Sequence, residues 1–391
     1  MSESSQNLRC VIVGASHAGS QLAIQLRKNG WTGEIVLIGD ESQMPYHRPP
    51  LSKAVMSGEK DADGILLRPA PMYQAQNVTL RLNERVQSLS AENKQVVLVS
   101  GEVLAYDKLA LCTGARPIRL PLGDGLDGVC YLRTLADVEA IRARLDEVRR
   151  VVVIGAGYIG LEAAAVLRKL GKDVTVLERA ERVLQRVTGP QMSAYFQNLH
   201  RHHGVDIHCS AEVVAINGQQ SVESVTCADG STFKADLVIV GIGVVPETGL
   251  AEMAGLKLDN GICVDEHACT SDPDIYAAGD CCSHPSALYQ RRVRLESVQN
   301  ANDQSRVAAA NICGANEVYN MTPWFWSDQY DVKLQAAGLC DGYDRIETDG
   351  SAEPGSEEGF VVTYYRDGEL IAADCINRAK DFMYYKKLLG S

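Results

Sequence analysis

The chain begins the same structural unit twice. An unbroken apolar run, a glycine-rich turn and a segment of helical period follow one another at Val11-Ile-Val-Gly14-Ala-Ser16-His-Ala-Gly19 and again at Val151-Val-Val-Ile-Gly155-Ala-Gly157-Tyr-Ile-Gly160. Apolar blocks without polar alternation suit strands covered on both faces, as in a parallel sheet. Further blocks stand at 35–38, 109–111, 174–177, 237–240 and 275–278, and helical periods at 21–28 and 161–169. A strand, a glycine turn and a helix in repetition predict a doubly wound α/β architecture.

In such a turn the first glycine permits the sharp bend, the middle one lets a pyrophosphate approach the backbone, and the last lets helix and strand pack closely. The helix N-terminus then faces the phosphates. The second copy is complete at Gly155, Gly157 and Gly160, whereas the first carries Ser16 in the middle position. Acidic residues close the following strands, Asp40 with Glu41 in the first copy and Glu178 in the second, at the spacing that binds ribose hydroxyls. A carboxylate there repels a 2′-phosphate, so Glu178 favours NADH over NADPH, while the adjacent Arg179 acts in the opposite sense.

A length of 391 residues accommodates several domains. Pro/Gly-rich residues 116–123 and Val245-Pro246 bracket the second unit, and beyond Pro323 the pattern changes to alternating strands at 360–365 and 370–376, joined by Asp367-Gly368, with a closing helix at 380–389. The expected organisation is one dinucleotide-binding domain from 1–116 and 246–322, a second inserted at 117–245, and a small C-terminal α+β domain at 323–391. A net charge of −12 argues against general affinity for nucleic acid or anionic membranes. The N-terminus shows no signal-peptide pattern and no apolar run approaches a membrane span, which places the protein in the cytoplasm. Twelve cysteines without a Cys-x-x-Cys pair read as buried reduced thiols. The run His200-Arg-His202-His203, with His208 nearby, reads as cations at a helix C-terminus, so no metal is expected.

Thr270-Ser-Asp-Pro273-Asp-Ile-Tyr-Ala-Ala-Gly279-Asp280 and Ala110-Leu-Cys-Thr113-Gly114-Ala-Arg116-Pro117 complete an order similar to that of flavoproteins binding two dinucleotides. Met44-Pro-Tyr-His-Arg48-Pro-Pro-Leu-Ser-Lys53, Tyr131-Leu-Arg133-Thr, Arg294-Leu-Glu296-Ser-Val298-Gln-Asn300 and Pro323-Trp324-Phe-Trp326-Ser-Asp328-Gln329 narrow the likeness. The chain resembles the putidaredoxin reductase type, the oxygenase-coupled NADH-dependent ferredoxin reductases, which include rubredoxin reductases and are similar to apoptosis-inducing factor. The resemblance runs from about Leu8 to Phe382. It implies two Rossmann-like dinucleotide-binding domains in a glutathione reductase-like arrangement, an FAD-binding domain interrupted by an NADH-binding one, and the small C-terminal domain.

The same resemblance implies FAD contacts at Gly14, Ala18, Gly19, Asp40, Arg48, Lys53, Val86, Thr113, Gly114, Arg133, Asp280, Val298 and Trp326. For NADH it implies Gly155, Gly157, Ile159, Gly160, Glu162, Glu178, Arg186, Gly241, Glu296 and Trp326. Lys53, Glu162 and Trp326 are the expected catalytic residues, with Lys53 beside the flavin ring and paired to Glu162; a cation there stabilises negative charge on the reduced ring. A helix expected from Asn300 would turn its positive end to the flavin's pyrimidine side.

Disulfide reductases of this domain order carry a reactive cysteine around residues 40–55, and this chain has none between Cys10 and Cys112. Electrons must therefore leave singly, to a two-iron ferredoxin or a rubredoxin serving an oxygenase. Such carriers are often acidic, which makes Arg291, Arg292, Arg294 and Arg306 the expected docking residues. An NADH oxidase or disulfide reductase, or a redox sensor similar to apoptosis-inducing factor, are the alternatives. Relatives of this type extend past the closing helix, whereas this chain ends at Ser391. Oligomeric state, monomer or weak dimer, stays open.

Overall fold

A computed structural model describes residues 8–123, 125–353, 356 and 358–390; Ser391 lies outside them. The chain divides into two compact units, the first formed by Met1–His47, Asp63–Arg116 and Val245–Pro323, the second by Arg48–Ala62, Pro117–Val244 and Trp324–Ser391. Segment 48–62, expected with the first dinucleotide fold, thus groups with the second, as do the C-terminal strands.

The first unit is built on a parallel sheet in the order Ile275–Ala277, Lys108–Leu111, Arg9–Val13, Glu34–Ile38, Val78–Arg81. Val11 pairs with Val36 on one side and Leu109 on the other, so the first apolar run is the sheet's middle strand. Helices His17–Lys28 and Val298–Ile312 contribute Leu22, Leu26, Ala308 and Ala309 to one core with Ile12 and Leu37. The alanines keep the second helix thin enough for close approach.

The second unit repeats the plan with Asp206–His208, Asp173–Leu177, Arg150–Ile154, Leu237–Val240 and Val129–Tyr131, all parallel. Helix Tyr158–Lys169 follows the middle strand, and Pro190–His202 precedes the edge strand. Its C-terminal part is an antiparallel sheet in the order Trp324–Gln329, Val332–Gly338, Glu369–Ile376, Phe360–Arg366, Arg345–Gly350. Asp367 and Gly368 have φ of +54° and +83°, the left-handed pair a tight hairpin requires. Helix Ala379–Leu389 closes this sheet through Phe382 and Leu389, packed with Ala337 and Cys375.

The expected strands and helices are present, but both glycine-turn helices begin three to four residues before positions 21 and 161. Their first turns contain Gly19 and Gly160, poor helix formers placed there for packing. The histidine run also needs correcting. His202 and His203 are exposed at the helix end, but His200 is fully buried, and burial pushes its imidazole down to about 4, so it is neutral rather than a surface cation. Among the described residues no helix is long and apolar enough to cross a membrane, and no group of three or more His, Cys, Asp or Glu is placed to hold a metal ion.

Two buried groups in the second unit have opposite linkage to pH. His200, lowered from 6.5, is a weaker base when folded, so its contribution is present above pH 6.5 and lost as pH falls toward 4. Asp374 is buried, which raises its carboxyl from 3.8 to about 6; its contribution is full below 3.8 and lost as pH rises through 6. Each amounts to about 3 kcal/mol across its window, and the two nearly cancel between pH 4.5 and 6. In urea titrations, Asp374→Asn should therefore lose stability relative to the parent as pH falls through this range. His200→Phe should lose it as pH rises.

Candidate functional site

In the first unit, Gly14 has φ +111°, and a Cβ there would lie 2.0 Å from the Cys112 carbonyl oxygen. A Cβ on Gly19 would lie 2.0 Å from the Gly14 oxygen. Strand, turn and helix meet too closely for any side chain at either position. The Thr113-Gly114 pair beside this turn is fixed by two hydrogen bonds to Glu247: Thr113 Oγ1 donates to its carbonyl at 2.6 Å, and its N–H donates to Gly114 O at 2.9 Å. On the opposite side Gly279, φ +91°, comes within 3.3 Å of Ala18 Cβ as measured from its own ideal Cβ, and its N–H donates to Gln304 Oε1 at 2.9 Å. Gly14, Ala18, Gly19, Thr113, Gly114 and Asp280 thus gather at the start of one helix, where the helix dipole favours an anion.

Asp40 is exposed at its strand end, and Glu41 accepts the Tyr46 hydroxyl at 2.5 Å. Val298 is half-buried at the first turn of its helix, which starts two residues before expected because Ser297 caps it, accepting from Asn300 N at 3.1 Å. Val86 is buried in the core that includes Leu98 and Leu104. Cys281 and Cys282 are buried free thiols; Cys281 donates to Leu111 O at 3.4 Å and Cys282 to Gln304 Oε1 at 3.1 Å.

The second unit's turn divides its glycines by task. A Cβ on Gly155, φ +103°, would meet Gly241 O at 2.4 Å, and one on Gly160 would meet Gly155 O at 2.1 Å. Gly157 has no atom within 4 Å of its Cβ position, so the middle of the turn is open. An open backbone flanked by two close-packed glycines is what a bound pyrophosphate requires. Glu178 spans the turn: Oε2 accepts from Ala156 N at 2.6 Å and Oε1 from Ala180 N at 2.8 Å. Arg186 is exposed, with its guanidinium 3.4 Å from the Cβ position of Gly243, and Ile159 is also exposed on its helix.

Lys53 and Glu162 form an ion pair of 2.6 Å. Pro49 and Pro50 open a 3-10 turn, Pro49–Ser52, in which their fixed φ preorganises the backbone. The turn sets Ser52 and Lys53 side by side, so that Ser52 Oγ at 2.5 Å and Lys53 Nζ at 2.6 Å share Glu162 Oε2. Glu162 Oε1 accepts the Ser327 hydroxyl at 2.6 Å. A carboxylate only 4% exposed is thus neutralised by one cation and two hydroxyls. Arg48 donates to Arg133 O at 2.8 Å, holding the start of the same turn to the strand Val129–Tyr131 end. Trp326, next to Ser327, lies half-buried between Trp324 and Phe325, and Phe325 packs on Tyr158 at 4.5 Å.

Arg294, one of the expected docking residues, donates to Asp280 O at 3.3 Å. Glu296 is exposed in the first unit and paired with Arg294 at 2.7 Å. Arg306 pairs with Asp303 at 2.7 Å, and Arg292 donates to Val264 O at 2.8 Å and to Ser283 O. Much of the charge on the expected docking arginines is therefore compensated locally. Ser52, Ser327 and Gln329 were missed as site residues, although all three lie inside motifs read for other members.

Two glycine cradles, one per unit, define a protein that binds two dinucleotides, the build of a pyridine-nucleotide-dependent flavoprotein. The profile described as Pyridine nucleotide-disulphide oxidoreductase matches residues 8–305, and that described as Reductase C-terminal matches 324–391. The chain is 46% identical over 385 residues to the 5,5'-dehydrodivanillate O-demethylase ferredoxin reductase subunit of Sphingobium sp. (strain NBRC 103272 / SYK-6), covering 97% of this chain and 92% of that one. It is 39% identical to the rubredoxin-NAD(+) reductase of Pseudomonas putida, over 95% of this chain and 96% of that one. Among solved structures, the reductase of the covalent putidaredoxin reductase–putidaredoxin complex matches with a TM-score of 0.94 at 45% identity, over 98% of this chain and 93% of that one. The chain belongs to the pyridine nucleotide-disulphide oxidoreductase family, within the putidaredoxin reductase type. FAD and NADH are its cofactors.

Proposed function

We propose that this chain is an NADH-dependent ferredoxin reductase that moves electrons from NADH through FAD, one at a time, to a two-iron ferredoxin or a rubredoxin of an oxygenase system. The observation that carries the reading is the Lys53–Glu162 pair. It stands in the segment where a disulfide reductase keeps its reactive thiol, and among residues 40–55 there is no cysteine. FAD, when bound, would supply the chemistry that joins two-electron oxidation of NADH to one-electron delivery. NADH gives up a hydride; two one-electron carriers take the two electrons, and one proton goes to solvent.

The chain's own residues bind, orient and set charge. The turn at Gly14 and Gly19 with Thr113, Gly114 and Asp280 holds FAD, and the turn at Gly155, Gly157 and Gly160 with Glu178 holds NADH. Lys53 supplies a fixed cation at the flavin and Glu162 fixes Lys53. Trp326 supplies an aromatic face at the same centre. Arg48, Arg133, Val86, Val298 and Asp40 complete the FAD contacts. Twelve free cysteines suit a reducing cytoplasm.

Steady-state NADH consumption tests this against its alternatives. Turnover should be fast with a two-iron ferredoxin or a rubredoxin and slow with oxygen or disulfides; the reverse preference would remove the assignment. Glu178→Ala should raise the NADH KM about tenfold, from loss of the ribose contact and of the bond to Ala156 N. The visible flavin spectrum should not change. Loss of flavin in this variant would contradict the assignment of the second turn to NADH.

A further inference from the structure

Behind the Lys53–Glu162 pair runs a buried line of hydrogen bonds that neither cofactor assignment uses. Ser327 Oγ contacts Glu162 Oε1 at 2.6 Å, Gln329 Nε2 contacts Ser327 Oγ at 3.2 Å, and His200 Nε2 contacts Gln329 Oε1 at 2.8 Å. The Tyr330 hydroxyl lies 3.3 Å from His200 Nδ1, and its ring stacks on the exposed His203 at 3.7 Å. Ser327 and His200 are fully buried, and Gln329 is 1% exposed.

The direction of this line is set from its charged end. A carboxylate only accepts, so Ser327 must donate to Glu162. With its proton committed, Ser327 accepts, which turns the Gln329 amide nitrogen toward it and the amide oxygen toward His200. His200 must then carry its proton on Nε2, leaving Nδ1 to accept from Tyr330. The neutrality of His200 agrees with this arrangement, since burial lowers its imidazole to about 4. An amide in the line passes no proton, so its effect is orientation rather than conduction. Each member has one arrangement that satisfies its neighbours, and a buried network so satisfied is rigid.

We infer that His200 and Gln329 are positioning residues for the Lys53–Glu162 pair: they hold the Ser327 hydroxyl in line with Glu162 and so fix how much of the Lys53 charge reaches the flavin. The inference rests on the reading of Lys53 as the cation at the flavin. Without His200 the Gln329 amide loses the partner that fixes it, and the Ser327 oxygen loses the fixed donor behind its bond to Glu162. Glu162 then receives a weaker bond from Ser327, holds Lys53 more strongly, and the flavin loses stabilisation of its reduced form.

The test uses the FAD-loaded full chain and four variants, Ser327→Ala, His200→Phe, Gln329→Met and Lys53→Met, with the double variant His200→Phe/Ser327→Ala. The readouts are the midpoint potential of the bound flavin and the rate of anaerobic bleaching by NADH. Ser327→Ala should lower the potential and slow bleaching about tenfold, the value of one hydrogen bond to a charged group. His200→Phe and Gln329→Met should each do the same in smaller measure, about threefold. The double variant should match Ser327→Ala alone, because His200 acts only through Ser327. A purely structural role would make the losses add, and that result overturns the inference. Wild-type potentials in both His200→Phe and Gln329→Met, with a lowered potential in Lys53→Met, overturn it as well. If His200→Phe does not fold, Gln329→Met with Ser327→Ala completes the same cycle. An unchanged potential in Lys53→Met would instead remove the reading of Lys53, and this inference with it.

Discussion

Gly14→Val is expected to yield protein without flavin. The position sits at φ +111°, and its Cβ would lie 2.0 Å from the Cys112 carbonyl oxygen. The obstruction is backbone of the strand Lys108–Leu111 end, so no rotamer change relieves it. To admit the side chain, the turn must move away from the sheet, which removes the cradle and the close approach of Gly19 at once. A left-handed backbone adds about 1–3 kcal/mol for a β-branched residue. Gly30 is the control: it also has positive φ, +90°, but nothing lies within 4 Å of its Cβ position. Gly30→Ala should cost about 1 kcal/mol and keep its flavin. The ratio of flavin to protein absorbance in the two purified variants measures this. A flavin-replete Gly14→Val protein would mean that the first glycine turn does not bind FAD.

Lys53→Met should retain flavin and lose reaction with NADH. Glu162 keeps its Ser52 and Ser327 hydroxyls, at 2.5 and 2.6 Å, so the buried carboxylate is still hydrogen-bonded and the fold survives. What disappears is the fixed cation. Removing one preorganised group of this kind costs roughly a hundredfold or more in rate. Anaerobic bleaching should slow by about that factor at saturating NADH, with a small change in the NADH concentration needed for half-maximal rate. Equal bleaching in variant and parent would show that the Lys53–Glu162 pair is structural.

The glycine turns were legible in the sequence because each glycine there answers a separate physical demand. Gly155 and Gly160 are required by backbone approaches of 2.4 and 2.1 Å, while Gly157 leaves open the space that a bound pyrophosphate would take. No other residue type fits at Gly155 and Gly160, and those two, set between a strand and a helix, identify the turn. Short apolar runs likewise marked the parallel strands, since full burial leaves no room for alternation.

The grouping of segment 48–62 and the line behind Glu162 were not legible. Ser327 meets Glu162 across 165 positions of sequence and His200 meets Gln329 across 129, and no periodicity spans such distances. His200 also sat in a run whose other members are exposed, so composition pointed the wrong way for the one buried member. The expected docking arginines failed to stand out for a related reason. Arg294 and Arg306 have acidic neighbours two and three positions away, Glu296 and Asp303, and local pairing had first claim on them.

The central claim is tested most directly by anaerobic stopped-flow mixing with NADH, followed by mixing of the reduced protein with a two-iron ferredoxin and, separately, with a rubredoxin. The account predicts rapid bleaching of the flavin and then fast one-electron reoxidation by at least one carrier, slowing as salt is added. A reduced protein that neither carrier reoxidises, or a flavin that NADH does not bleach, would contradict it.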